Sequence, residues 1–224
     1  MKSNIEDLLR TTEREGVEDL IKFLTESDFY TAPCSTKFHL AKTGGLAEHT
    51  WNVSKCAVAL IYKYELPDLL KSAVLVSIGH DLCKVNFYIE DKELPTDPQI
   101  TYLRSLCSKA GVRVPEKLNK AYASICIDHL KSMKKLPLPE FVPGFTVNDQ
   151  FPMGHGEKSA FIMQRFVKLT DEEAISIRWH MASFDAGIHF PYPSGFAYNE
   201  AVKKSKLVSI LILADIEASN LVEA

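Results

Sequence analysis

The sequence predicts a mainly α-helical fold carrying one proline-containing insertion, and three observations support that expectation. Apolar residues recur at i, i+3 and i+4 in several segments at both ends of the chain. One short stretch, VNFYIE at 85–90, has the β-branched and aromatic texture of a strand. Residues 91–150 hold six prolines (Pro95, Pro98, Pro115, Pro137, Pro139 and Pro143) and show weaker patterning.

Taken in order, the first helix groups Ile5, Leu8 and Leu9 on one face, with Ser3 placed to cap a turn containing Glu6 and Asp7. A second segment, Val17 to Leu24, repeats the pattern with Leu20, Ile21 and Leu24. Residues 28–45 read as loop, with Pro33 and two adjacent glycines. Helix returns over Leu46 to Glu65, and Pro67 suits the first turn of the next helix. That helix runs from Asp68 to about Cys83 and is apolar nearly all round, as a central helix is. Short helices are expected around 99–109 and 116–133, inside an insertion or lid spanning 91–143. That stretch looks too small and interrupted to hold a core of its own, so residues 1–224 form one domain with the insertion inside it. Regular helix resumes over Glu157 to Leu169. Thr170 and Glu173 then fit a capping box opening a helix that reaches about His180. A final helix extends from about Val202 to Leu221.

Composition narrows the function classes. With 46% hydrophobic and 25% charged residues, the chain is neither disordered nor fibrous. A net charge of −3 supplies no global positive field, so nucleic acid is a possible partner but not a favoured one. The lysine clusters at 131, 134 and 135 and at 203, 204 and 206 read as solvated helix faces. Five cysteines without a CxxC pair argue against both a disulfide framework and a zinc knuckle, and fit buried thiols in a reducing cytosol. The charged N-terminal segment lacks an apolar signal region, and Leu207 to Ala214 is too short to cross a bilayer. A soluble, cytoplasmic protein is expected, with its oligomeric state open.

Among seven histidines, His80 stands out. It follows VLVSIG on the all-apolar helix and is followed at once by Asp81. Burying an unpaired imidazole and carboxylate together costs several kcal/mol, and a cation held by both compensates directly. Asp215 interrupts LVSILILADIEASN and is open to two readings, a metal ligand or an ion-pairing or helix-end residue. His49 lies in GGLAEHT, His155 in FPMGHGEKSA, and His180 ends the IRWH segment. No single spacing among these is diagnostic.

The ordered set His49, His80-Asp81, His155, His180, Asp215, with its flanks, resembles the HD-domain superfamily of metal-dependent phosphohydrolases, whose pattern is H…HD…H…H…D on a helical bundle. GGLAEHT resembles the first-histidine motif, IGHDLCKV the central pair and LADIEASN the closing aspartate helix. TVNDQFPMGHGEKS and LTDEEAISIRWHM resemble the remaining ligand segments of a branch common in bacteria and their phages. The likeness covers about residues 28–90 and 144–222. Where the family often has Gly, this chain has Cys83, for which a local packing change is expected. His39, His129 and His189 have no counterpart and are expected to be structural or surface residues.

The resemblance implies that His49, His80, Asp81 and Asp215 hold one metal, and that His155 and His180 hold a second bridged by Asp81. Mixed nitrogen and oxygen donors suit one or two divalent ions among Mn, Fe, Co, Ni and Zn, with Mg at a more oxygen-rich position. The implied activity is hydrolysis of a phosphate ester or anhydride, of a nucleotide, by metal-activated water. Asp81 and Lys84 carry the catalytic expectation. Lys84 is placed either to steady the phosphate or to hold Asp81, while Lys158 and Arg178 are either substrate contacts or ion-pairing residues. Competing readings are an HD-type nuclease on single-stranded RNA or DNA, since similar domains occur in bacterial 3′-to-5′ exoribonucleases, and a non-catalytic nucleotide-binding module. A di-iron oxygenase is a third.

Overall fold

A computed structural model of the chain describes residues 1–36, 38–132, 138, 144–185 and 194–223. It is mainly α-helical, as the periodicity requires. The helices are α1 (Lys2–Arg10), α2 (Val17–Glu26), α3 (Gly45–Lys63), α4 (Leu70–Gly79), α5 (Asp97–Ala110), α6 (Lys120–Lys131), α7 (His155–Met163), α8 (Asp171–Trp179), α9 (Ser194–Lys204) and α10 (Lys206–Glu217). Among the described residues no helix is long and apolar enough to cross a membrane.

The main core gathers α1 to α4, α7, α8 and α10 around fully buried Leu9, Leu24, Phe29, Leu46, Leu75, Ile78 and Leu211. Helix α4 sits at the centre, its Ala73 to Gly79 run buried on every side. Pro67 lies in a 3-10 turn ahead of it, where a missing N–H leaves no helix bond unmade. Thr170 and Glu173 form the expected capping box at the start of α8. The same Glu173 carboxylate, fully buried, accepts from Arg14 at 2.6 Å and Ser72 at 2.7 Å. It thereby ties α8 to α4 and to the turn after α1.

Strand β1 (Tyr88–Glu90) pairs antiparallel with β2 (Phe145–Val147), in register Tyr88 to Val147, Ile89 to Thr146 and Glu90 to Phe145. This ribbon joins the two ends of the 91–143 segment, so the segment leaves and rejoins the bundle at one place. The expectation that it holds no core of its own is corrected. Leu103, Cys107, Tyr122, Ala123 and Cys126 of α5 and α6 are buried together, with Val112, Val114, Leu118 and Leu130 packed around them.

Three further boundaries differ from expectation. Ser3 does not cap α1, which begins at Lys2 with no side-chain cap. Helix α7 begins at His155 and ends at Met163, earlier than Leu169. The expected single helix over 202–221 is split at Ser205, whose backbone takes an extended conformation (φ −137°, ψ 126°) while its hydroxyl accepts from the Leu207 N–H to cap α10. A π-helical turn, Ala218–Val222, then extends α10.

Candidate metal centre

Helix ends supply most of the chemistry. His80 closes α4 and His180 closes α8, and each turns its Nδ1 onto the carbonyl three residues back, 2.7 Å to Ser77 and 2.6 Å to Ile177. A carbonyl only accepts, so Nδ1 carries the proton and each Nε2 keeps a lone pair. Both helices continue into a 3-10 turn, Leu82–Lys84 and Ala182–Phe184. His155 is the first residue of α7 and is brought to His180 by a close crossing of α7 on α8. A Cβ at Gly156 would stand 2.2 Å from the Arg178 carbonyl oxygen, so glycine is what permits the approach. His49 projects from the second turn of α3, and Asp215 from the second half of α10.

All six residues of the ordered set converge. His49 Nε2 lies 3.3 Å from His80 Nε2, 3.2 Å from Asp215 Oδ1 and 3.6 Å from Asp81 Oδ2. His80 Nε2 is 3.5 Å from the same Asp81 oxygen. On the other side, Asp81 Oδ1 meets His155 Nε2 at 2.8 Å and His180 Nε2 at 3.8 Å. Among the described residues the buried His180 Nε2 atom has no hydrogen-bond partner. Such an orphaned lone pair costs about 1–3 kcal/mol unless something binds it.

The charges are strongly coupled. Burial alone would raise the Asp81 pKa, but the Lys84 ammonium, His80 and the hydrogen bond from His155 hold it well below the usual carboxylate range. Asp215 is likewise lowered against its burial, chiefly by His49 and His80. Burial would depress His49, yet hydrogen bonds to Asp215 and Glu223 and the charge of Asp81 raise it to about 9. His155 rises to about 10 against its burial, through Cys83 and Asp81. His180 falls to about 3, through burial and the neighbouring His80 and His155. Acidic, protonated and neutral donors thus share one small volume.

Lys84 is bonded to Asp81 Oδ2 at 2.6 Å, so of its two readings the structure displays the hold on Asp81. Lys158 is buried against Asp149 at 2.6 Å and lies over the Phe87 ring. Arg178 pairs with Glu157 and Asp185 and stacks on Trp179. Both cations are therefore engaged within the protein. Cys83 packs its sulfur 3.3 Å from His155 Nδ1, while its backbone N–H donates to Ser159.

Sequence reasoning missed three residues here. His39 is not remote: its ring lies 5.0 Å from that of His49, and its Nε2 is 3.5 Å from Cys34 Sγ. Cys34 in turn receives the Lys84 ammonium at 3.4 Å. Glu223 places both carboxylate oxygens 3.1 Å from His49 Nδ1. None of the three has a local pattern that marks it. His129 belongs to α6, away from the cluster, and His189 lies outside the described residues.

Donor groupings capable of holding a metal ion are His49, His80 and Asp81; His80, His180 and Asp215; Asp81, Cys83 and His155; and Cys34, His39 and His49. The spacing fits such an ion. Two nitrogen donors on one tetrahedral ion, each about 2.0–2.1 Å from it, stand about 3.3–3.4 Å apart. The His49–Asp215, His49–His80, His80–Asp81 and His49–Asp81 contacts span 3.2 to 3.6 Å. A surface cleft of about 510 Å³ lined by Asp19, Lys22, Phe23, Asn86 and Arg165 contains none of these donors. No family model matches this chain, and neither a curated protein nor a solved structure matches it.

Proposed function

We propose that the protein is a metal-dependent phosphohydrolase that cleaves a phosphate ester or anhydride, of a nucleotide, at a centre whose residues would hold two divalent ions, with Asp81 a ligand to both. One observation carries the reading: the two oxygens of Asp81 face two separate sets of nitrogen donors, and one of those donors, His180 Nε2, is buried with no hydrogen-bond partner among the described residues. His49, His80, Asp81 and Asp215 would hold one ion, and Asp81, His155 and His180 the other.

Divalent ions bound there would supply Lewis acidity toward phosphoryl oxygens and would lower the pKa of water. The chain's own part is to hold the donors rigid and keep their lone pairs inward. Ser77 and Ile177 fix the His80 and His180 tautomers from behind. Lys84 fixes Asp81 and leaves a positive charge beside the developing negative charge of a phosphate. Four neutral imidazoles and two carboxylates leave two divalent ions with net positive charge, which suits an anionic substrate.

Metal analysis of the purified chain, joined to a screen of mononucleotides, phosphodiesters and single-stranded oligonucleotides, tests the reading. Metal-dependent turnover of mononucleotides or small phosphate esters is the expected result. Oligonucleotide cleavage without mononucleotide turnover would replace it with a nuclease, and tight nucleotide binding with no hydrolysis with a binding module.

A further inference from the structure

Helix geometry makes His49 a different case from His80 and His180. Those two rings cap helices, where the last carbonyls have no helical partner and are free to accept from Nδ1. His49 lies inside α3, where the carbonyls three and four residues back belong to the helix's own ladder. Its Nδ1 therefore has no local backbone acceptor and must find one elsewhere.

Glu223, 174 residues away in sequence, provides it. Both carboxylate oxygens are 3.1 Å from Nδ1, and Asn52, three residues along α3 from His49, donates its amide to Oε1 at 3.0 Å. The Glu223 side chain is 1% exposed, and among the described residues no Lys or Arg pairs with it. The π-helical turn after α10 ends at Val222 and delivers Glu223 to this position.

We infer that Glu223 is the positioning residue of the centre. It holds His49 with Nδ1 protonated, so that Nε2 is the atom presented to His80, Asp81 and Asp215, and its charge strengthens that nitrogen as a donor. The inference rests on the metal-binding reading of the cluster, not on what is hydrolysed.

Zinc affinity of the full-length protein, measured by competition with a chelator, tests it in Glu223→Gln and Glu223→Ala. Glu223→Gln keeps the shape and a neutral acceptor, and is expected to bind the tighter zinc ion about 10–100-fold more weakly. Glu223→Ala is expected to be weaker still. In parallel, the ring ¹⁵N signals of His49 in the zinc-loaded wild type should show a protonated Nδ1 and a coordinated Nε2, with the Nδ1–H signal lost to exchange in the Ala variant. Should the Ala variant fail to fold, the isosteric Gln variant decides. Wild-type affinity in Glu223→Gln, or zinc on Nδ1, would overturn the inference alone. A wild type that takes up no zinc overturns the metal reading together with it, whereas tight zinc binding without hydrolysis removes only the proposed activity.

Discussion

The two oxygens of Asp81 look into differently built halves of one cluster. On the Oδ2 side, His49 and His80 stand at 3.6 and 3.5 Å, and Asp215 lies 3.2 Å from His49. These donors come from α3, α4 and α10, which pack on one another through the main core. On the Oδ1 side, His155 is at 2.8 Å and His180 at 3.8 Å, both from the α7–α8 pair, and among the described residues His180 Nε2 has no hydrogen-bond partner. The first half carries two carboxylates with a third, Glu223, behind it. The second half shares Asp215 with the first, within 4.8 Å of His180, and has the Cys83 thiol alongside. More anionic charge should make the first position the tighter one for a divalent ion.

Removing the shared carboxylate should have the largest effect. Asp81→Asn is expected to empty both positions, with a loss of affinity larger than the about 10–100-fold that a supporting residue causes. Because Lys84 then loses its counter-charge, Asp81→Asn/Lys84→Met separates ion binding from folding; full metal content in that variant would dismiss the bridging role.

Next come the two helix-capping histidines. His80→Gln should abolish the tight ion and activity together, while His180→Gln should leave about one ion per chain and lose the weaker one. Metal stoichiometry by elemental analysis and calorimetry distinguishes these outcomes, and equal losses in both variants would erase the difference between the halves.

A smaller effect is expected from Gly156→Ala, because its methyl group meets the Arg178 carbonyl. The variant should lose about 1–3 kcal/mol of stability in denaturant unfolding and weaken the second ion while sparing the first.

The mildest test is pH. Ion binding at Nε2 displaces protons from His49 and His155, whose pKa values are raised to about 9 and about 10, so affinity should climb from pH 6 toward pH 9, and titration in buffers of differing ionisation enthalpy should reveal proton release. For the metal-free protein the sign is opposite. The raised pKa values add stability that is fully present below about 6.5, the unfolded histidine value, and is lost as pH rises through 9 to 10. His180, lowered to about 3, contributes stability present above about 6.5 and lost as pH falls toward 3. Melting temperatures across that range check both slopes.

Much of the fold was legible in the sequence because helix periodicity is a local property. The all-apolar run into His80, the proline at the start of that segment and the Thr170–Glu173 box each act within a turn or two of themselves. The break at Ser205 was not legible, since the apolar pattern runs on across it and only the cap hydrogen bond marks the change. Nor was the small core of α5 and α6, whose partners are separated by a stretch without clear period.

The sequence by itself determined which residue types stand in an apolar setting, and so which of them need a charge-compensating partner. His80, Asp81 and Asp215 are conspicuous for that reason alone. Only the tertiary structure decided what meets them. It seats His39 and Cys34 beside the cluster, couples Lys84 to Asp81, occupies Lys158 and Arg178 with carboxylates, and returns Glu223 to His49 from the far end of the chain. Burial leaves its mark along the chain, whereas a hydrogen bond across 174 residues depends on packing geometry that no local pattern encodes.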